Sequence, residues 1–207
     1  MLVLWGRPTS SNVKKVLWTL EEIGLDYQFI KAGGPYGGLD TPEFLALNPN
    51  GLVPTIKDDD LVLWESNTIV RYLAARYGKG VLWIEDCGKR AAAEKWMDWT
   101  MATLFDPFVD LLMNVVRLAP EKRDQQKVTD SVEKFEKGLS IIDGELKKQP
   151  FLSGENLGIG DIIPGVFVYY YYAMELPRKN KFSNVEAWYQ KLQARPGYKK
   201  HVMVPIS

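Results

Sequence analysis

The chain has 207 residues, 46% of them hydrophobic and 25% charged, and its 26 basic residues balance 26 acidic ones. That neutrality excludes the long-range field expected of a protein that binds nucleic acid or an anionic membrane. The single cysteine, Cys87, excludes an internal disulfide and argues against a cysteine-based zinc site.

The first apolar run, Leu2–Trp5, ends at Gly6 and reads as a strand. It is too short for a secretory signal and lacks a basic leader. No segment approaches eighteen consecutive apolar residues, so no membrane span is expected and a reducing cytoplasm is the expected compartment. Val13, Val16, Leu17, Leu20 and Ile23 recur at helical spacing, and Gly24 supplies a helix stop. Tyr27–Ile30 is a second strand, which makes a βαβ unit with parallel strands. A short helix is predicted over Thr41–Leu47. Val53–Ile56 and Leu61–Trp64 flank a polar turn, Lys57 to Asp60, short enough for an antiparallel hairpin. A helix from about Ser66 to Tyr77 turns Ile69, Val70, Tyr72 and Leu73 inward and stops at Gly78. Residues 79–88 read as a linker. Beyond it the pattern is helical over Arg90–Leu118 (with a break at Pro107), Pro120–Lys148, Asp161–Met174 and Val185–Ala194. The run Tyr169–Tyr172 places aromatics all round its helix, which predicts that this helix is largely buried.

Three features of the first half suggest chemistry. The turn "GRPTSSNVKK" carries Thr9, Ser10, Ser11 and Asn12 at the mouth of the first helix, where unpaired N–H groups and the helix dipole favour an anion. Pro54 stands at a strand start, and a cis Val53–Pro54 bond would leave the Val53 backbone turned outward toward a ligand. Glu65-Ser66-Asn67 opens a second helix, and the same anion argument applies there. Two helix mouths and a backbone edge suit an extended peptide with carboxylates and one nucleophilic atom. Each feature also has an ordinary reading: Ser10 and Glu65-Ser66 as caps, Pro54 as a trans strand-starter, Asp161 as a structural cap, Trp99 and Phe108 as core.

The segments "GRPTSSNVKKVLWTLEEIGLDY", "TPEFLALNPNGLVPTIKDDDLVLWESNTIVRYLA", "FLSGENLGIGDI" and "WYQKLQARPGYKKHV" together resemble cytosolic glutathione transferases over essentially the whole chain. The resemblance points to bacterial serine-type members related to the theta, phi and nu classes. It implies an α/β thioredoxin-like N-terminal domain (residues 1–78), an all-α C-terminal domain (residues 89–207), and a homodimer. It also implies conjugation of glutathione, as co-substrate and without a metal, to a small hydrophobic electrophile. By resemblance, Ser10 carries the hydroxyl that donates to the glutathione sulfur, and Asn12 matches an asparagine that nu-like members place near the same atom; Thr9 and Ser11 are the alternatives if the register slips by one. Leu52, Val53 and Pro54 match the backbone edge for the cysteinyl part, and Glu65 and Ser66 the pair that grips the γ-glutamyl end.

There are departures. Leu52 stands where many members have a polar or basic residue, and Asp40 where several have one for the glycyl carboxylate, which leaves Arg7, Lys31 or a partner subunit to supply charge. Gly158 stands where a Ser or Thr usually caps the helix bearing Asp161. Trp99, Thr103 and Phe108 on the first long helix are the expected lining of the electrophile pocket, with Phe105 and Met113 nearby.

The energetics are sufficient. Lowering a thiol from a pKa near ~8.5 by two units needs about 2.7 kcal/mol. One hydrogen bond to a charged group contributes roughly 1.5–3 kcal/mol, and a helix N-terminus about 0.3–1 kcal/mol more. The only histidine, His201, lies in the C-terminal tail, so no Ser-His-Asp set is expected. The rival expectations are a nu-like glutathione-dependent disulfide or peroxide reductase and a non-catalytic protein for hydrophobic ligands.

Overall fold

A computed structural model describes residues 1–206 of the chain. The first half runs β1 (Leu2–Gly6), α1 (Ser11–Ile23), β2 (Tyr27–Lys31), α2 (Pro42–Leu47), β3 (Thr55–Asp58), β4 (Leu61–Trp64) and α3 (Ser66–Tyr77). The sheet order is β2-β1-β3-β4. β1 and β2 are parallel, with Leu2 opposite Tyr27 and Gly6 opposite Lys31. β3 runs antiparallel to β1 and to β4. This is the βαβ-plus-hairpin arrangement of a thioredoxin-like sheet. Leu2 and Leu4 point from β1 into a core shared with Val13, Val16, Leu17 and Leu20 of α1 and Ile69 and Leu73 of α3. Gly6 lets α1 close onto the end of β1, because a Cβ there would lie 2.8 Å from the Val13 methyls.

The second half is helical: α4 (Cys87–Thr103), α5 (Phe105–Leu111), α6 (Gln125–Leu146), α7 (Ile159–Ala173), α8 (Ser183–Ala194) and α9 (Pro196–His201). α7 is buried continuously from Ile159 to Tyr171, as the tyrosine run predicted. Its core takes in Trp18 of α1 and Val70 and Ala74 of α3. α1 is therefore buried on both sides, against its own sheet and against the helical half.

The structure differs from the sequence pattern in five places. The long helix breaks at Leu104, whose N–H donates to the Thr100 carbonyl and whose carbonyl accepts from Phe108 N–H. Pro107 has no N–H with which to continue the ladder, so the interruption falls before it rather than at it. After Leu111 the chain widens into a π-helical stretch, Leu112–Arg117, closed by Leu118 N–H donating to the Met113 carbonyl. α6 starts at Gln125 because the Asp124 carboxylate caps it, accepting from Lys127 N–H. β3 starts at Thr55, after the Val53–Pro54 pair. α9 falls where the pattern gave no element; the Tyr198 hydroxyl on it donates to the Gly165 carbonyl at 2.7 Å and anchors it to α7.

Candidate functional site

Ser10 occupies the N-cap of α1 in extended backbone conformation. Its Oγ accepts from Val13 N–H at 3.5 Å, the outer limit of a hydrogen bond, so the cap is weak and the hydroxyl proton is not spent on it. Ser10 N–H donates to the Arg7 carbonyl, and the Tyr170 hydroxyl of α7 donates to the Thr9 carbonyl at 3.2 Å. The helical half thus holds the turn by its backbone.

The two lysines after the turn go inward, and both are fully buried. Lys14 Nζ donates to the carbonyls of Val202 and Val204, and lies 4.6 Å from the ring centres of both Tyr169 and Tyr170. Burial pulls its pKa down to about 7. Lys15 Nζ donates to Asn12 Oδ1 at 2.8 Å and to Ser66 Oγ at 3.3 Å. Burial pulls Lys15 down to about 7 as well, against the opposing field of Glu65.

The Val53–Pro54 bond is cis. The loop before it is built on Asn48, which is buried; its Nδ2 donates to the Leu52 carbonyl at 2.9 Å and to Thr55 Oγ1. Its Oδ1 accepts from Asn50 N–H. Sequence reasoning passed over Asn48; the signal was an Asn-Pro-Asn-Gly turn between a helix and the proline. At the mouth of α3, Glu65 has φ 71°, the left-handed region that costs a non-glycine residue roughly 1–3 kcal/mol. It sits at the cap position and makes no side-chain cap bond. Ser66 is buried, and its hydroxyl donates sideways to Asn12 Oδ1 at 3.3 Å rather than capping α3.

A cavity brings together Asn12, Asn48, Leu52, Val53, Pro54, Glu65 and Ser66. Ser10, two residues before Asn12 in the turn, is not among its walls. The residues expected for the electrophile pocket do not gather here. Phe108 is packed between Phe167 and Tyr170, with ring centres 4.7 and 4.9 Å away. Trp99 lies against Trp96 and over Gly138 of α6. Thr103 is exposed at the end of α4. A cleft of about 490 Å³ with a mixed polar and apolar lining lies at Tyr169, walled by Val115, Val116, Met174, Glu175 and Ile206. Near the turn, burial and the adjacent Arg7 guanidinium hold Arg117 below its ordinary value.

Among the described residues no His, Cys, Asp and Glu cluster could hold a metal ion, and no helix is long and apolar enough to cross a membrane.

A mixed four-stranded sheet with a cis proline, two helix mouths facing that proline and an appended helical half define the glutathione S-transferase fold. The family models "Glutathione S-transferase, N-terminal domain" and "Glutathione S-transferase, C-terminal domain" match residues 1–75 and 93–196. The chain is 48% identical to Glutathione S-transferase GstB of Escherichia coli K12 over the full length of both, and 30% identical to Glutathione S-transferase 4 of Zea mays, covering 95% of this chain and 90% of that one. Among solved structures it superposes on the theta class glutathione S-transferase of Xanthomonas axonopodis pv. citri with glutathione bound. That match has a TM-score of 0.95 and 43% identity, covering 100% of this chain and 99% of that one. Glutathione transferase F7 of Populus trichocarpa matches with a TM-score of 0.85 at 28% identity, covering 97% of each chain. The chain belongs to the glutathione S-transferase family. It is a glutathione-dependent transferase, with glutathione as co-substrate.

Proposed function

We propose that the enzyme ionises glutathione at the mouth of α1 and adds the sulfur to a hydrophobic electrophile. Ser10 and Asn12 are the side chains that donate to the thiolate. The observation that carries this reading is the convergence of Asn12, the Val53–Pro54 edge and the α3 mouth on one cavity, with the Ser10 hydroxyl, two residues before Asn12, only weakly engaged. The γ-glutamyl end lies at Glu65 and Ser66, where the N–H groups of α3 receive its carboxylate. Because the Ser66 hydroxyl is turned to Asn12, the backbone of α3 does most of that binding. The cysteinyl part pairs with the Val53 backbone beside Leu52 and Pro54. Arg7 and Lys31 are the nearby cations for the glycyl carboxylate. The electrophile enters by the cleft at Val115, Tyr169 and Ile206, on its apolar side. The working form is a cytoplasmic homodimer.

A second reading, a glutathione-dependent disulfide or peroxide reductase, is favoured by one observation: Asn12 rather than Ser10 walls the cavity. Conjugation of a chloronitrobenzene and reduction of a small disulfide, each with glutathione, separate the two when measured for wild type, Ser10→Ala and Asn12→Ala. Conjugation that dominates and falls at least tenfold in Ser10→Ala supports the transferase reading. Disulfide turnover that dominates and depends on Asn12 supports the reductase. Binding of glutathione with neither turnover contradicts both.

A further inference from the structure

Lys15 is fully buried between four helices. From its own helix Asn12 presents Oδ1 at 2.8 Å. From α3 comes the Ser66 hydroxyl at 3.3 Å, from α4 the Met101 sulfur at 3.3 Å, and from α7 the Phe167 ring at 5.3 Å. Among the described residues the acid whose field acts on it is Glu65, and no carboxylate of the described residues pairs with it. In its charged form lysine has three donors and no acceptor, which matches the Asn12 oxygen that faces it. Ser66 Oγ also donates to that oxygen, which leaves both of its lone pairs occupied. The Asn12 amide nitrogen then lies on the other side of the side chain. Asn12 walls the cavity and Lys15 does not.

We propose that Lys15 is a positioning residue for the thiolate: by holding the Asn12 oxygen inward it turns the Asn12 NH2 group outward as a donor, and its positive charge strengthens that donor by polarising the amide. This rests on the reading of the site given above. A buried cation without a contacting carboxylate is costly. It is retained here, at a helix mouth, where its field favours a negative charge on the far side of one amide. An anion in the cavity in turn favours the charged amine, so ligand and lysine stabilise each other's ionised forms. The arrangement also locks the mouths of α1 and α3 to one another through a single ammonium, which fixes the distance between the sulfur end and the γ-glutamyl end of the tripeptide.

The test is a pH titration of the thiolate absorbance of enzyme-bound glutathione, together with kcat and KM, for wild type, Lys15→Met, Lys15→Arg, Asn12→Ala and the Lys15→Met/Asn12→Ala double variant. Methionine fills the lysine stem without its charge, and thermal melting checks that it folds. If it does not, Lys15→Gln, which keeps a neutral donor, replaces it. The expected result is a bound thiol about one pH unit less acidic in Lys15→Met, about a tenfold fall in thiolate fraction below that pH. Recovery is expected in Lys15→Arg, with no further effect of Lys15→Met once Asn12 is alanine. The loss falls on kcat at sub-neutral pH more than on KM for glutathione. A wild-type titration in Lys15→Met, or in Lys15→Gln if that variant takes its place, overturns the proposal. So do effects of the two substitutions that simply add. Both results leave the site reading standing as long as wild-type bound glutathione is more acidic than free glutathione. If it is not, the site reading itself fails, and this proposal with it.

Discussion

Ser153 occupies the space that a side chain at Gly158 would need: a Cβ on Gly158 would lie 2.8 Å from both Ser153 Cβ and Ser153 Oγ. Ser153 Oγ accepts from Gly160 N–H at 3.0 Å, at the first turn of α7. The hydroxyl that a Ser or Thr would supply at position 158 is thus supplied from the preceding loop, and the glycine makes room for it. Gly158 has φ −150°, extended backbone open to any residue, so the constraint is steric.

That exchange predicts a compensating pair. Gly158→Ser alone should destabilise by roughly 1–3 kcal/mol through overpacking. Ser153→Ala alone should cost about 1 kcal/mol, the value of a lost cap. The double variant should recover part of the loss, a favourable coupling of at least about 0.5 kcal/mol in a double-mutant cycle read by urea denaturation. Strict additivity would mean that the two side chains do not share the site.

Asp161 receives Leu152 N–H, Ser153 N–H, Gly158 N–H and Trp188 Nε1–H, the nearest at 2.8 Å. Asp161→Ala leaves those buried donors unpaired and should cost about 3–5 kcal/mol. The variant should be recovered mainly insoluble or melt far below wild type. A glutathione-binding, stably folded Asp161→Ala protein would show that the carboxylate is not the pin between the 150–158 loop, α7 and α8.

Asp58 is buried against two phenols, with Tyr77 and Tyr72 hydroxyls donating at 2.6 and 2.7 Å. Burial by itself would raise this carboxyl, but the two hydroxyls and the Arg76 guanidinium outweigh it and hold it below its ordinary value. A carboxyl with a lowered folded pKa binds fewer protons when folded. Its contribution is therefore complete above about pH 4, its unfolded value, and is lost as pH falls through the folded value. Asp58→Asn should cost about 1–2 kcal/mol at pH 7 and much less near pH 3, measured by denaturation at the two pH values. An equal cost at both would remove the charge from the explanation.

Lys14 ties the C-terminal tail to α1 through the Val202 and Val204 carbonyls, and the Tyr169 hydroxyl donates to the same Val204 carbonyl at 2.6 Å. In Lys14→Met the amides of Val202, Met203, Val204 and Ile206 should exchange about tenfold faster, while the global melt moves little because a buried charge leaves with the tie. Lys14 is lowered to about 7 in the folded state, so the unfolded chain holds the extra proton and wild-type stability should rise from pH 7 to pH 9. Lys14→Met should flatten part of that rise. An unchanged slope and unchanged tail exchange would contradict the role given to the amine.

The sheet and α1 were legible because a strand and a half-buried helix write their periods directly: Leu2 and Leu4 alternate, and Val13, Val16, Leu17 and Leu20 mark the face toward the sheet. The opposite face of α1 was not legible. Lys14, Lys15 and Trp18 lie there, and a lysine pair reads as solvent-facing until a second domain covers it. The cavity at Asn12, Pro54 and Ser66 was legible as three short motifs, although the isomer of Val53–Pro54 depends on tertiary packing and is not written in the chain. The surroundings of Phe108 were not legible: its position on its helix suggests a pocket, whereas it packs between the rings of Phe167 and Tyr170. α9 was missed because Pro196-Gly197 reads as a turn, whereas proline is also a good first residue of a helix.

If side-chain donors at the mouth of α1 keep the glutathione sulfur ionised, the acidity of that sulfur on the enzyme must show it. Thiolate absorbance titrated in the binary complex should give a midpoint about two pH units below free glutathione for wild type, and a return of one unit or more in Ser10→Ala or Asn12→Ala. A bound thiol that titrates like the free one, or a lowered midpoint that survives loss of both side chains, would contradict the account.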